Sequence, residues 1–268
     1  MKRNEILEKK LLTDGSVYFK LHAPEIAKNA FAGNFLIVIT HEGSERIPLT
    51  IMEYQDDWVS IVVKPVGFST QEMVKLEEGE AFHGVLGPLG QKMHIVENQT
   101  VLMVAGGVGI APVIPQLEEL KKHNNHVIVI HGGREKDAIL FEKRVNDVAD
   151  EYIICTDDGS YGEMGLVTDI MEKELAEHDI DLVITIGPLI MMKYVSLLSK
   201  KHNIKTMASL NSIMLDGTGM CGSCRVEYDG EVKFACVDGP DMDAHKIDFD
   251  VLIKRNSRFK EQEDSVRL

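Results

Sequence analysis

The 268-residue chain is short of basic side chains. It sets 29 Lys and Arg against 43 Asp and Glu, for a formal net charge of −14. Phosphate backbones attract the opposite sign, so no nucleic-acid partner is expected. No apolar stretch approaches the ~20 residues of a membrane span, so no membrane contact is expected either. The opening MKRNEILEKKLLTDG is basic but lacks the apolar core of a signal peptide. Cysteine is scarce, four in all, and with most of them clustered this usage favours a reducing, cytoplasmic setting. The rest of the composition, 44% hydrophobic and 27% charged, is ordinary for a globular chain long enough for two domains and a small third.

Three of the four cysteines fall in one stretch, DGTGMCGSCRVEYDGEVKFAC, with the pattern Asp216-x4-Cys221-x2-Cys224-x11-Cys236. Gly217, Gly219 and Gly222 allow backbone angles there that side chains would block. RVEY and EVKFAC flank Asp229-Gly230, a strong signal for a type I′ hairpin. If Tyr228 faces Glu231, Ala235 faces Cys224, and Cys236 folds back beside the first two thiols. Three readings fit these residues: a [2Fe–2S] cluster on Asp216, Cys221, Cys224 and Cys236; a structural zinc completed by Asp216 or His245; and a disulfide with one thiol left over. The cluster is the sharpest of the three. Cys155, alone in the apolar EYIIC, reads as a buried thiol.

Residues 1–98 read as all-β. VYFKLHAP, NFLIVIT, RIPLTIMEY and DWVSIVVKPVG are short β-rich runs broken by Gly, Pro and Asp, spaced as in a small antiparallel barrel. At residue 100 the pattern changes. TVLMVA, HVIVI, EYIIC and DLVITI read as buried parallel strands alternating with helical PVIPQLEELKKH, AILFEKRVNDVA and LIMMKYVSLLSKKH, a doubly wound α/β domain over 99–204. Gly106-Gly107-Val108-Gly109-Ile110-Ala111-Pro112 joins the first strand to its helix, where backbone N–H groups can approach a pyrophosphate. With Gly132–Arg134, Thr156–Gly162 and Gly187-Pro188 it should line one crevice at the carboxyl ends of the strands. Residues 205–268 form the cysteine segment, a short helix in IDFDVLIKRNSRF and a frayed tail. His245 reads as a surface or capping residue.

Together these motifs resemble the ferredoxin–NADP reductase superfamily. Within it they resemble the electron-transfer subunits of dihydroorotate dehydrogenase type B and, through Asp216 in place of a first cysteine, the small subunits of NADH-dependent reduced ferredoxin:NADP oxidoreductases, also labelled sulfide dehydrogenase subunits. The resemblance covers nearly the whole chain. It implies an antiparallel flavin-binding barrel (1–98), a doubly wound parallel-sheet NAD(P) domain (99–204) and an iron–sulfur segment with a C-terminal tail (205–268). For FAD it implies Arg46, Pro48, Leu49, Thr50 and Ile51; then Val62, Val63 and Lys64; then Gly67, Phe68, Ser69 and Thr70. Ile47 stands where the usual arginine would be, so Arg46 is displaced by one. For NAD(H) or NADP(H) it implies Gly106, Gly107, Val108, Gly109, Ala111, Pro112, Gly133, Arg134, Asp157, Asp158, Gly187 and Pro188.

The implied activity is that of a subunit of an NAD(P)-dependent, ferredoxin-linked flavin oxidoreductase. Hydride passes from NAD(P)H to FAD, and single electrons pass through the cluster to a larger FAD/[4Fe–4S] flavoprotein, in a heterodimer or higher complex that bifurcates electrons and exchanges them with ferredoxin. No side chain is required as acid or base. Two alternatives are an electron-transfer subunit for dihydroorotate oxidation and a zinc-stabilised nucleotide-binding regulator without turnover.

Overall fold

A computed structural model describes residues 2–266. The chain divides into two compact units, one made of residues up to Lys92, Asn211–Pro240 and those from Asp250 on, the other of Met93–Leu210 and Asp241–Phe249.

The first unit contains strands β1 (Ile6–Leu11), β2 (Val17–His22), β3 (Phe35–Ile39), β4 (Arg46–Thr50), β5 (Glu53–Gln55), β6 (Trp58–Val63) and β7 (Gly84–Leu89). They pair antiparallel in two sheets, β1-β2-β6-β5 and β4-β3-β7. The central pairing sets Phe19 opposite Ile61 and Leu21 opposite Val59, and all four are fully buried in one core with Leu36, Val38 and Phe82. Each such side chain contributes about 1.5–3 kcal/mol through removal from water. Strand β1 lies inside the polar opening segment, where no strand was expected. Its ILEKKL buries Ile6 alone and is held by the backbone of β2.

The cysteine hairpin belongs to this unit. Strands β14 (Arg225–Tyr228) and β15 (Glu231–Phe234) pair with Tyr228 opposite Glu231. Asp229 and Gly230 both have positive φ, 54° and 80°, as a type I′ turn requires. The helix Phe249–Asn256 is amphipathic and buries Leu252. Lys260–Val266 is helical where fraying was expected; residues 267 and 268 of that tail lie outside the described residues.

The second unit is built on a seven-stranded sheet of β8 (Thr100–Gly106), β9 (His126–Gly133), β10 (Glu151–Thr156), β11 (Glu163–Met164), β12 (Leu182–Ile186), β13 (Lys205–Ser209) and β16 (Asp241–Asp243). Its order is β11-β10-β9-β8-β12-β13-β16, parallel except for β16. Helices Ile110–Lys122, Val167–Glu177 and Leu189–Lys201 accompany it, and the last buries Met192, Val195 and Leu198 as packing. Two expectations are revised. AILFEKRVNDVA is helical only over Glu142–Asn146, because Phe141 turns the backbone left-handed at φ 55°. The segment 205–268 is shared between the units, since β13 and β16 pair with each other and extend the parallel sheet.

Candidate functional site

In the first unit, Asp216 opens the cysteine loop. Its Oδ1 accepts the Thr218 N–H and its Oδ2 the Cys221 N–H, both at 2.7 Å. These donors, Thr218 first, hold the carboxyl below its usual range. Gly217, Gly219 and Gly222 all have positive φ, of 75°, 85° and 65°. At Gly217 a Cβ would also stand 2.5 Å from Leu89 Cδ1, so the loop lies hard against strand β7.

Cys221 is exposed, while Cys224 and Cys236 are buried. Partial burial pushes the Cys221 thiol up, but hydrogen bonds led by the Ser223 backbone outweigh it and the net shift is downward. Ala235 N–H donates to the Cys224 carbonyl at 3.1 Å, the register expected for the hairpin. This turns Cys236 back to Cys224, and burial, followed by the hydrogen bond to the Cys224 thiol, pushes Cys236 up to about 12. Two cations flank the loop: Arg255 Nη2 donates to the Ser223 carbonyl at 3.3 Å, and Arg225 Nη1 to the Gly222 carbonyl at 3.2 Å.

This donor set fits an iron–sulfur cluster. Two thiols lie in contact, and a third, with a carboxylate, stands on the same glycine loop, a mainly thiolate set that suits iron and sulfide. His245 belongs to the second unit, where its Nε2 meets Ser199 Oγ at 3.1 Å.

The stretches expected to meet a flavin lie in the same unit. Arg46 to Thr50 form β4, Ile51 follows buried, and Val62 and Val63 end β6 inside the core. Several of their polar groups are engaged locally. Arg46 Nη1 donates to the Leu215 carbonyl at 3.1 Å, next to Asp216. Lys64 pairs with Asp14 at 3.0 Å. Thr70 Oγ1 accepts the Val66 and Gly67 N–H groups at 3.0 and 3.1 Å, and Ser69 donates to Glu45. What stays open is Gly67, where a Cβ would meet nothing within 4 Å, flanked by Val66 and Phe68, each more than half exposed. An open apolar shelf of this kind fits a planar aromatic ligand.

In the second unit the sheet order reverses between β8 and β12, a topological switch point where ligands bind at the carboxyl ends of strands. Both loops there are glycine loops, and they abut: a Cβ on Gly187 would lie 3.1 Å from the Gly106 nitrogen. Gly106 and Gly109 are packing glycines, since their added Cβ atoms would stand 2.6 Å from Met191 Sδ and 2.5 Å from the Ile186 carbonyl oxygen. Gly107 differs. Its φ is +53° and a Cβ there would meet nothing within 4 Å, which leaves the turn open to a phosphate group ahead of helix Ile110–Lys122. Val108, Ala111 and Pro112 continue this turn. The other expected segments also meet, with Asp157 N–H bonded to the Gly133 carbonyl and Asp158 N–H to the Arg134 carbonyl. Pro188 packs beside Gly106.

His131 supports the Gly107 turn. It is fully buried on β9, with Nδ1 2.9 Å from the Tyr152 hydroxyl and Nε2 3.1 Å from the Gly107 carbonyl. Burial pushes its pKa down to about 4, so the neutral ring accepts from Tyr152 and donates to Gly107. A histidine inside an apolar strand, directly before Gly132 and Gly133, is the available signal.

Comparison with known proteins agrees with this geometry. Residues 211–248 match the iron-sulfur cluster binding domain of dihydroorotate dehydrogenase B, and residues 103–197 match the oxidoreductase NAD-binding domain. A dihydroorotate dehydrogenase B (NAD(+)) electron transfer subunit homolog from Thermotoga maritima is 40% identical over 97% of this chain and 93% of its own. The electron transfer subunit from Clostridium perfringens is 31% identical over 81% of this chain and 87% of its own. The chain belongs to the dihydroorotate dehydrogenase B electron-transfer subunit family. A solved structure of NADH-dependent reduced ferredoxin-NADP oxidoreductase, described for flavin-based electron bifurcation, superposes with a TM-score of 0.93 at 39% identity, over 99% of this chain and 96% of the other. Amycolatopsis cytochrome P450 reductase, 18% identical with a TM-score of 0.62 over 75% of this chain and 65% of its own, shares the fold alone.

As a member of this family the chain is an electron-transfer subunit of an oxidoreductase, with FAD, an iron–sulfur cluster and NAD(H) as its cofactors. That overturns the reading as a zinc-stabilised regulator without turnover. Among the described residues no helix is long and apolar enough to cross a membrane.

Proposed function

We propose that this chain is the small subunit of a cytoplasmic, electron-bifurcating NAD(P)-linked ferredoxin oxidoreductase, working against a larger FAD/[4Fe–4S] flavoprotein. The observation that carries this reading is the donor set itself: a carboxylate pinned at the head of a loop, an exposed thiol of lowered pKa, and two buried thiols in contact. Asp216, Cys221, Cys224 and Cys236 hold a [2Fe–2S] cluster. FAD and the cluster together supply the conversion of a two-electron hydride into single electrons.

The protein's own groups bind, orient and tune. The Thr218 and Cys221 amides keep Asp216 ionised and aimed while it serves as a ligand. Arg225 and Arg255 fasten the loop carbonyls and set positive charge beside an anionic group, which favours its reduced form. Arg46 ties strand β4 to the residue before Asp216, so the flavin-binding strand and the cluster loop are anchored to each other. The shelf of Val66, Gly67 and Phe68 takes the flavin, together with Pro48, Leu49 and Thr50 of β4. Gly107 and the first turn of the helix Ile110–Lys122 take the dinucleotide phosphates, and His131 holds that turn in shape through the Gly107 carbonyl. Arg134 and Asp158 border the same crevice. No side chain acts as acid or base.

Copurification with the natural partner tests the assignment. A larger flavoprotein rich in iron, with NADPH- and ferredoxin-dependent NAD reduction, is the expected outcome. A partner that oxidises dihydroorotate would instead assign the chain to pyrimidine oxidation, as the names of its relatives allow.

A further inference from the structure

The amino ends of β9 and β10, opposite the nucleotide crevice, carry a cluster that neither redox site uses. Glu151 opens β10, Glu174 lies on the helix Val167–Glu177, and His178 follows one turn later. One oxygen or nitrogen from each lies within 4.8 Å of the other two. We propose that Glu151, Glu174 and His178 bind a divalent transition-metal cation of the zinc class.

Spacing is the first argument. His178 Nε2 stands 3.5 Å from Glu174 Oε2 and 3.8 Å from Glu151 Oε2, at or beyond the limit of a hydrogen bond. Donors around a tetrahedral zinc with bonds of about 2.0–2.1 Å sit about 3.3 Å apart, so the three groups stand close to coordination distance. Glu174 and His178 are an i, i+4 pair, which puts both on one helix face.

Charge is the second. Glu174 is only 9% exposed, with the Glu151 carboxylate and the His178 ring both within 4.8 Å of its own donor atom. A buried carboxylate that faces a second carboxylate and an imidazole is a site that a cation stabilises. The third argument is orientation. His126 Nε2 meets Glu151 Oε1 at 3.2 Å, which turns the other oxygen towards His178, as outer partners do for metal-binding carboxylates. Two carboxylates and an imidazole suit zinc or cobalt better than calcium or magnesium.

The test is calorimetric titration of zinc chloride into the full, cofactor-loaded chain, whose three loop cysteines hold the cluster, joined to zinc K-edge absorption of the loaded sample. One equivalent should bind, with nitrogen and oxygen neighbours only. Glu174→Gln and His178→Gln should each weaken binding at least about tenfold, the loss that even an outer partner causes. No binding, a sulfur shell at about 2.3 Å, or affinity unchanged in folded variants would overturn the proposal. The absorption spectrum of the wild-type chain decides even if the variants fail to fold.

Discussion

Asp216 Oδ2 accepts the Cys221 N–H at 2.7 Å, so the carboxylate and the first thiol of the loop are held by one bond. Exchanging Asp216 for cysteine keeps a metal donor but removes a hard oxygen and this tether. Asp216→Cys should retain a cluster with a potential moved by tens of millivolts, because ligand identity and net charge set it. Asp216→Ala should lose most bound iron. A redox titration with iron analysis reads both, and an unchanged potential in Asp216→Cys would remove Asp216 from the ligand set.

Arg255 donates to the Ser223 carbonyl beside Cys224 and feels the Cys224 charge. A nearby cation stabilises the more negative, reduced form. Arg255→Met should therefore lower the cluster potential by tens of millivolts, and Arg255→Lys should restore most of it.

Stripping the cluster exposes thiols of unequal reactivity. Cys221 is exposed and lowered in pKa, whereas burial pushes Cys236 to about 12 and Cys155 to about 11. Iodoacetamide followed by mass spectrometry should label Cys221 first in the chain freed of iron and spare it in the loaded chain.

The nucleotide turn separates two kinds of glycine. A Cβ on Gly109 would stand 2.5 Å from the Ile186 carbonyl oxygen, so Gly109→Ala should lose about 1–3 kcal/mol or more of stability. Gly107→Ala meets open space and costs only its left-handed backbone, about 1–2 kcal/mol. It should fold, yet raise the KM for NADH.

How far such distinctions were legible in the sequence depends on whether a local signal existed. The Asp229-Gly230 hairpin, the Gly107 turn and the parallel strands were readable, because turn chemistry and apolar runs act over a few residues. Strands β1 and β16 were not. EILEKKL and DMD carry little strand character and are recruited by β2 and β13. The helix Val167–Glu177 follows a glycine-rich loop and has Leu166 at its N-cap, so it carries no strong start signal. That Thr70 Oγ1 accepts the Val66 and Gly67 N–H groups is also not evident from the sequence. Nothing in HVIVIHGG says that the ring of His131 reaches the Gly107 carbonyl, since that bond joins β9 to the turn after β8.

Two buried groups give opposite pH dependences. His131 is pushed from 6.5 to about 4 by burial, so the unfolded chain takes up the proton first. Its contribution is full above pH 6.5 and falls away towards pH 4, by roughly 3 kcal/mol. Burial raises Asp241 from 3.8 to about 6, against hydrogen bonds from Ser209 and Gln116. Its contribution is full below pH 3.8 and is lost as pH rises through 6, again by roughly 3 kcal/mol. Between pH 4 and 6 the two slopes oppose. Urea unfolding should show Asp241→Asn losing stability as pH falls through that window, and His131→Gln gaining it.

Anaerobic titration of the purified chain with NADH, alongside iron, acid-labile sulfide and flavin analysis, tests the central claim most directly. The account predicts one flavin, two irons and two sulfides per chain, with the flavin and iron–sulfur absorption bleached together by NADH. A chain holding zinc and no labile sulfide, or one whose flavin is reduced while no iron is bound, would contradict it.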